Sequence, residues 1–324
     1  MSTPDASPPP ADAASAHWVD LHNHLLPGLD DGPADWPAAL DLCRALVADG
    51  VTHAAATPHL YGPYTEPDRV EIIRFRTTQL VRRLAEEQIP LVIYPGADVR
   101  IDAQLAEALP QGKVPTLGRG GSHVLVEPPH DVWIDAPAVC DLLDAAGCVG
   151  VLTHPERHRH VQRHGLEVVQ PWVDRGAILQ ITAGSLLGDF GAPARELAWQ
   201  AIASPVPAIV ASDAHNLHQR PPRIGVAAEL IAARLGRPAA LRLCRDFPLA
   251  LVADALPATT SDQDAAPSLA PRSPAGIPEV LSSAPSSPAT PSTPRKRGSS
   301  QDTLPLQRES SPHSSTDSNP GVPA

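Results

Sequence analysis

The 324-residue chain is acidic and poor in aromatic residues, with a formal net charge of −11 and only 3% Phe, Trp and Tyr. The acidic balance argues against a nucleic-acid partner held on a broad basic surface, but it is compatible with a local basic pocket for phosphate. The length suits one large domain or two modest ones, and the hydrophobic content of 42% is enough for a core of small aliphatic side chains.

The two ends of the chain differ in composition from its middle. Residues 1–16 are rich in Pro, Ala and Ser, and residues 257–324 are rich in Pro, Ser, Thr and Ala and contain no aromatic residue. Such segments bury too little apolar area to offset the entropy lost on ordering. We therefore predict a disordered lead-in over residues 1–16, one catalytic domain over residues 17–256 and a disordered tail over residues 257–324.

Strand-like and helix-like stretches alternate through the middle of the chain. The predicted strands are Trp18–Leu21, Thr52–Ala56, Leu91–Tyr94, His123–Val126, Cys148–Leu152, Ala177–Ile181 and Pro207–Val210. The predicted helices are Trp36–Asp49, Pro67–Gln88, Asp102–Leu109, Ala136–Ala146, Leu166–Arg175, Ala192–Ala203, Arg223–Leu235 and Pro238–Arg245. Seven alternations in about 240 residues favour an α/β barrel of parallel strands. An open doubly wound sheet is the alternative, and no Gly-x-Gly-x-x-Gly turn supports it.

Six of the seven predicted strands lead into side chains that can bind a metal ion. His22 and His24 follow the first strand two positions apart, so they point to the same side of an extended segment. The other strands with such residues lead to His59, Asp98, Glu127, His154, and the pair Asp213 and His215. In a barrel the carboxyl ends of all strands converge on one cup, so these side chains can share metals.

This set is larger than the three or four protein ligands that one open catalytic ion needs, so we predict two or three divalent ions. Oxygen and nitrogen ligands without thiolate suit manganese, iron or zinc. Adjacent metals can activate water near neutral pH and neutralise the oxygens of a phosphate ester. Arg157 and Arg220 follow two of the ligand segments and are candidates for a phosphate clamp, and the basic run over residues 157–164 favours an anionic substrate.

The ordered motifs resemble the bacterial metal-dependent tyrosine phosphatases of capsule and exopolysaccharide loci, of the CpsB/CapC type in the polymerase and histidinol phosphatase (PHP) superfamily. The segments that carry this resemblance are Asp20–His24, Leu26–Gly32, Ala56–His59, Leu125–Glu127, Thr153–Arg157, Gln180–Gly188 and Ala211–Asn216. The resemblance covers about Trp18 to Leu251. It implies a distorted (β/α)7 PHP-type barrel with three metals, commonly manganese.

The resemblance also implies a role for each site residue. His22, His24 and Asp213 would hold a first metal, Glu127 and His154 a second, and Asp31, His59 and His215 a third. Asp98 stands where the family usually has a bridging glutamate and is one methylene shorter. Arg157 and Arg220 match the phosphate-binding arginines, and His158 replaces an aromatic residue often found there. The implied partner is a phosphotyrosine protein, an autophosphorylating tyrosine kinase of the polysaccharide export system.

The leading hypothesis is therefore a protein-tyrosine phosphatase in which metal-activated hydroxide attacks phosphorus directly. None of the cysteines begins a Cys-x5-Arg loop, which excludes a thiolate phosphatase. The nearest alternative is the same chemistry on a small phosphate monoester such as histidinol phosphate. A metal hydrolase of C–N bonds usually needs a lysine within the barrel, and Lys113 is the one lysine before the predicted tail. A non-enzymatic scaffold would require a site that has lost its ligands.

The cysteines and the lack of long apolar runs indicate a cytoplasmic protein. Cys43, Cys140, Cys148 and Cys244 are widely spaced, and we predict buried free thiols in a reducing compartment. No stretch approaches the ~20 apolar residues of a membrane span, and the first residues do not resemble a secretory signal. These patterns leave the oligomeric state open.

Overall fold

The computed structural model describes residues 18–260, which contain nine strands and eleven α-helices. The strands are β1 Trp18–Asn23, β2 Val51–Ala56, β3 His59–Leu60, β4 Val92–Pro95, β5 Asp98–Arg100, β6 His123–Glu127, β7 Val149–Thr153, β8 Ile178–Thr182 and β9 Ala208–Ala211. The helices are α1 Trp36–Ala48, α2 Arg69–Glu86, α3 Ala103–Ala108, α4 Ala136–Ala145, α5 Arg159–His164, α6 Gln170–Val173, α7 Ala183–Leu187, α8 Gly191–Ala203, α9 Ile224–Leu235, α10 Arg237–Leu241 and α11 Phe247–Leu251. The predicted lead-in lies outside the described residues, as does the predicted tail beyond Thr260.

All pairings between these strands are parallel. One sheet has the order β1-β2-β4, and the other has the order β3-β5-β6-β7-β8-β9. Because β3 continues the path of β2, and β5 that of β4, the two sheets follow one another around a single series. Asn23 forms a parallel bridge with Ala214, and the Asp213 N–H donates to the His22 carbonyl at 2.9 Å. These contacts bring the last strand back to the first, which is the cyclic order that the predicted distorted barrel requires.

The core has two parts, as expected for strands covered by helices on one side. A large cluster packs the helices against the strands, with α1 contributing Ala39, Leu42, Cys43 and Leu46. A smaller cluster takes side chains from seven strands: Val19, Leu21, Ala55, Tyr94, Leu125, Val151, Ile178 and Ile209. Leu251 and Val252 close this cluster at the end of α11. Side chains from so many strands meet in one cluster when the strands surround it.

Local signals in the sequence explain where several helices begin and end. The Asp35 carboxylate accepts a hydrogen bond from the Ala38 N–H at 3.0 Å at the start of α1, and Pro37 occupies its first turn. The Asp102 carboxylate caps α3 in the same way, by accepting from the Gln104 N–H at 2.8 Å. Gly50, with φ of +90°, follows α1 in a backbone conformation that few other residues adopt at low cost.

The structure contains each predicted strand and long helix, with bounds that differ from the prediction by one or two residues. The short elements were not predicted. The two- and three-residue strands β3 and β5 are too short to show a period, and the same is true of α5 and α7. The predicted helix Leu166–Arg175 is a 3-10 turn followed by the short α6. The predicted final helix continues through a π-helical segment into α11.

The cysteines confirm the prediction of free thiols. Cys43, Cys140 and Cys244 are free and buried, whereas Cys148 is free and half-buried. Over residues 18–260, no helix combines the length and the apolar character needed to cross a membrane.

Candidate metal centre

The structure brings together all nine side chains predicted as metal ligands. Their ligand atoms form four overlapping groups, and within each group these atoms lie within 4.8 Å of one another. The groups are His24, Asp31, His59 and His215; His22, Asp98 and His154; His22, His24 and Asp213; and His59, Asp98 and Glu127. Because the groups share members, the side chains form one continuous cluster at the carboxyl ends of the strands. We call these nine residues the ligand rim.

Asp213 lies at one centre of the rim. Its Oδ1 is 3.4 Å from Nε2 of His22 and 3.4 Å from Nε2 of His24. Both histidines come from β1 and its end, while Asp213 follows β9. The closure of the strand series between β9 and β1 therefore creates this part of the site.

Asp98 lies at a second centre, and its position depends on an interruption of the strand. We expected it to end the third strand, but β4 stops at Pro95 and Asp98 begins β5. Asp98 pairs in register with His59 and faces it across the sheet edge, with Oδ2 3.3 Å from His59 Nδ1. The same oxygen is 3.5 Å from Nε2 of His22. This carboxylate therefore joins ligands from β1 and β3.

Buried acceptors orient three of the imidazole rings. Nδ1 of His22 lies 2.9 Å from Oε1 of Gln180, and Nδ1 of His24 lies 2.7 Å from Oδ2 of Asp30. Nδ1 of His215 is 2.9 Å from the Asp213 carbonyl oxygen. An acceptor at Nδ1 places the ring proton there and leaves the Nε2 lone pair for another partner. At His22 and His24 that lone pair is unpaired and available to a metal ion, whereas at His215 the Arg220 guanidinium lies 2.8 Å from it.

Neither Gln180 nor Asp30 was predicted as a site residue. Oε1 of Gln180 also accepts from the His154 N–H at 3.2 Å, so one amide oxygen links two ligand segments. Asp30 adjoins a predicted ligand and belongs to a motif already noted, so its position was the available signal. Gln180 lies inside a buried strand, where the sequence offers no comparable signal.

The rim contains buried polar atoms that have no hydrogen-bond partner within the described part of the chain. They are Nε2 of His22, Nε2 of His24, both carboxylate oxygens of Asp98, and Oδ1 of Asp213. Buried polar groups in native proteins are nearly always paired, because leaving one unpaired costs about 1–3 kcal/mol. Five such atoms directed into one cluster of imidazoles and carboxylates fit the coordination of divalent cations.

Burial and neighbouring charges shift the pKa values of several rim residues. Burial disfavours protonation of His22, but the carboxylates of Asp213 and Asp98 outweigh it and raise its pKa to about 9. Burial likewise opposes the charge of Asp213, yet His22 and the two nearby arginines hold its pKa well below the usual range. Burial and the charge of Asp98 raise the pKa of Glu127 to about 7. Carboxylates crowded to this degree attract cations.

Arg157 and Arg220 reach the rim from two different loops and meet at one atom. Each guanidinium donates a hydrogen bond to Oδ2 of Asp213, the oxygen that faces away from the two histidines. Arg157 also stacks on the ring of Phe190 at 4.3 Å. The loop before Arg220 is held by Oδ1 of Asn216, which accepts from the Gln219 N–H at 2.7 Å. The two predicted clamp residues therefore flank the same side of the site.

The end of β8, the one predicted strand without a ligand, has a structural role beside the rim. The buried carboxylate of Glu156 accepts from the Thr182 N–H at 3.0 Å and from the Ser185 hydroxyl at 2.7 Å. Glu156 immediately precedes Arg157. The end of β8 therefore fixes the segment that carries one of the two arginines.

The fold and the clustered ligands are those of a parallel α/β protein with a candidate metal centre at the carboxyl ends of its strands. The chain belongs to the capsular polysaccharide synthesis CpsB/CapC family, whose model matches residues 18–253. This confirms the family that the sequence motifs predicted.

Similar proteins support the assignment. The chain is 33% identical over 203 residues to tyrosine-protein phosphatase YwqE of Bacillus subtilis, covering 62% of this chain and 79% of that protein. It is 30% identical over 204 residues to a putative tyrosine-protein phosphatase CapC of Staphylococcus aureus, covering 63% and 79%. A solved structure superposes with a TM-score of 0.66 at 30% identity, over 72% of this chain and 94% of that one. The description of that structure names YwqE from Bacillus subtilis and CpsB from Streptococcus pneumoniae, and it calls them unique metal-dependent tyrosine phosphatases.

Proposed function

We propose that this protein is a metal-dependent protein-tyrosine phosphatase. One observation carries the proposal: buried Nε2 atoms of His22 and His24 point at one oxygen of Asp213, while Arg157 and Arg220 meet at the other. Cation ligands and phosphate-binding groups thus share one carboxylate. The names of the similar proteins support tyrosine phosphatase activity and metal dependence.

The ligand rim would hold two or three divalent ions. In this assignment His22, His24 and Asp213 would hold the first, Glu127 and His154 the second, and Asp31, His59 and His215 the third, and Asp98 would be a further carboxylate ligand. Manganese fits these oxygen and nitrogen ligands, and iron and zinc are the alternatives. Bound ions of this kind lower the pKa of water and neutralise charge on a phosphate.

The remaining residues bind and orient the phosphate ester. When the substrate binds, Arg157 and Arg220 would give up their hydrogen bonds to the Asp213 carboxylate and donate to non-bridging oxygens of the phosphate instead. A guanidinium can bind two such oxygens with parallel hydrogen bonds. Phe190 keeps Arg157 on that side of the site through its stacked ring. Tyr64, whose ring stacks on His59 at 5.3 Å, forms a half-buried wall beside this ligand. An aryl ring attached to the phosphate would lie against such a wall.

The exposure of the rim favours a phosphotyrosine in a protein as the substrate. The side chain of Asp31 is 52% exposed and that of Arg220 is 23% exposed, whereas His22 and Asp98 are fully buried. The site therefore opens to the surface on the Asp31 side, where a bulky phosphoprotein can approach. We propose a cytoplasmic bacterial tyrosine kinase of the polysaccharide export system as the partner, with residues 17–256 as the catalytic unit. Histidinol phosphate, or another small monoester, is the alternative substrate.

The experiment compares phosphate release from a phosphotyrosine peptide and from histidinol phosphate, before and after chelation. We expect kcat/KM to be higher for the peptide, activity to be lost on chelation, and activity to return on addition of Mn²⁺. Full activity in the chelated protein would contradict metal dependence. A higher kcat/KM for histidinol phosphate would contradict the protein substrate and leave the metal centre intact as a proposal.

A further inference from the structure

A second pair of neighbouring imidazoles lies on α5, outside the ligand rim. His160 and His164 are four positions apart on this helix, so their side chains lie on the same face. Their ring centroids are 4.5 Å apart, and the ring planes are inclined by 42°. His160 is half-buried and His164 is exposed. The pair is therefore accessible to an ion from solvent.

The separation of the two rings matches that of a chelating pair. Imidazoles that bind one ion through nitrogens at about 2.0–2.1 Å place their ring centroids roughly 4.5–5 Å apart, if the two bonds meet at roughly 90–110°. Histidines four positions apart on one helical face are a recurrent way to bind zinc. The observed distance lies at the lower end of that range.

The ring nitrogens of this pair are not used within the protein. Among residues 18–260, no hydrogen bond engages a ring nitrogen of His160 or His164. The neighbouring His158 differs, because its Nδ1 accepts from the His160 N–H at 3.1 Å and its Nε2 lies 2.8 Å from the Pro129 carbonyl oxygen. The fold thus engages both nitrogens of His158 and leaves those of the pair available.

Trp133 holds one of the two rings in place. Its indole stacks on the His160 imidazole, with 5.7 Å between ring centroids and an interplanar angle of 10°. Trp133 also contacts His158 edge-on at 5.1 Å, which fixes the indole between the two histidines. A ring that is already ordered loses less conformational entropy when it binds a ligand.

The surroundings favour the neutral form of His160, which is the form that binds metal. Burial and the charges that His164 and His158 can carry lower the pKa of His160, whereas Asp135 opposes this shift. Asp135 is exposed at the start of α4, and its carboxylate does not cap that helix. This carboxylate is a nearby oxygen donor with no role in capping.

We propose that His160 and His164 chelate one divalent cation of the copper, nickel or zinc class. Imidazole suits these ions, and their affinities for a given site exceed that of manganese. Water and Asp135 would supply the remaining ligands. The site would be separate from the carboxylate-rich rim, and it does not depend on the proposed phosphatase activity.

Titration of the full-length protein with Cu²⁺, in the presence of saturating Mn²⁺, tests the site. Because Trp133 stacks on His160, an ion bound there should quench tryptophan fluorescence, and Trp133→Phe should remove most of this quenching. His164→Asn keeps the stacked ring but removes the second ligand, so the Kd for Cu²⁺ should rise about tenfold or more. His218→Asn, at an exposed histidine outside the pair, should change the Kd less than about twofold.

A variant of unchanged composition separates chelation from the number of histidines. Arg159→His combined with His160→Arg keeps both residue types but places the two imidazoles five positions apart, about 140° around the helix. Equilibrium dialysis should then show the same loss of Cu²⁺ affinity as His164→Asn. Circular dichroism spectra equal to that of the wild type confirm that each variant is folded.

Two results would overturn the proposal. One is equal Cu²⁺ affinity in the wild type and in His164→Asn, since the ion would then not be chelated by the pair. The other is quenching that persists in His164→Asn but disappears in Asp213→Ala, because the ligand rim would then be the binding site. Neither result depends on whether the protein hydrolyses phosphotyrosine.

Discussion

The ligand rim and the layer directly beneath it are both polar and buried, but their hydrogen bonding differs. In the lower layer, the Ser212 hydroxyl donates to Oδ1 of Asn23 at 2.8 Å, and the Asn23 side-chain amide donates to the Asp20 carbonyl at 3.0 Å. Oδ1 of Asp20 accepts from the Ser212 N–H at 2.9 Å, and the Asn23 N–H donates to the Thr57 hydroxyl at 2.9 Å. In the rim, five buried ligand atoms of His22, His24, Asp98 and Asp213 have no such partner within the described residues, whereas in the lower layer Oδ2 of Asp20 is the one side-chain atom without a partner.

This difference separates the residues that hold strands together from those that are available to a ligand. The lower layer ties β1 to β2 and to the segment after β9, and thereby fixes the spacing of His22, His24 and Asp213. A buried network in which nearly every polar atom is paired adds stability and specifies one arrangement. A buried cluster that leaves its members unpaired loses stability unless a ligand binds there. We therefore expect changes in the rim to affect activity and changes beneath it to affect stability.

The largest effect is expected from Asp213→Ala. This substitution removes the carboxylate shared by two histidines and two arginines, so phosphatase activity should fall by about a thousandfold or more. The matched control is Asp254→Asn, an exposed aspartate outside the site, which should keep wild-type activity. Steady-state kinetics with a phosphotyrosine peptide provides the measurement. A loss of less than tenfold in Asp213→Ala would remove this carboxylate from the mechanism.

Substitutions of Gln180 test whether the His22 imidazole must be held in one orientation to bind metal. Gln180→Leu removes the acceptor at Nδ1 of His22, so metal affinity should fall by about 10–100-fold. Gln180→Glu retains an acceptor oxygen of similar reach and should bind metal close to the wild-type affinity. Titration of the metal-free proteins with Mn²⁺ distinguishes the two. Equal affinities for Gln180→Leu and the wild type would show that the ring needs no such support.

Asp30 makes the stability of the metal-free protein depend on pH. Burial opposes its ionisation, but His24 and backbone N–H groups outweigh burial and lower its pKa to about 2. A carboxyl group whose pKa is lower in the folded protein stabilises the fold at pH values above its unfolded-state pKa of 3.8. This contribution disappears as the pH falls towards the folded-state pKa of about 2. Asp30→Asn should therefore cost on the order of 2 kcal/mol at pH 7 and much less near pH 2.

Chemical denaturation of both metal-free proteins across this pH range measures the Asp30 effect. Asp41→Asn is the control, because Asp41 lies exposed on α1 beside Arg44. A constant difference in the free energy of unfolding between pH 7 and pH 2 would show that ionised Asp30 does not stabilise the fold.

Ser212→Ala should have the smallest effect of these substitutions on catalysis. It leaves Oδ1 of Asn23 unpaired in a buried position, so the free energy of unfolding should fall by about 1–2 kcal/mol. Phosphatase activity per folded molecule should change less than about fivefold, since no rim atom is removed. Urea denaturation and kinetics on the same preparation test both parts. A large loss of activity with unchanged stability would contradict the division between rim and lower layer.

Much of the candidate site was predictable because parallel strands deliver their carboxyl ends to one edge. Most of the ligand segments follow a stretch of apolar residues, and this pattern predicted His22, His59, Glu127, His154 and Asp213, whereas Asp31 was predicted only from the family resemblance. The interruptions between β2 and β3 and between β4 and β5 were not predictable, because segments of two or three residues carry no period. Those interruptions place Asp98 opposite His59.

The supporting residues were also beyond the sequence patterns. Gln180 is 158 positions from His22, and the interaction arises only when β8 and β1 face the same site. Asp20 and Ser212, separated by 192 positions, meet for the same reason. Pairings of this kind depend on how the strand series closes, and periodicity along the chain contains no information about closure.

The metal content of the purified full-length protein tests the central claim most directly. Elemental analysis should find about two to three divalent ions per chain, and the Asp213→Ala variant should hold fewer. Dialysis against chelator should remove these ions and abolish phosphatase activity together. An active wild-type preparation with less than about 0.1 divalent ion per chain would contradict the claim that these imidazoles and carboxylates bind metal for hydrolysis.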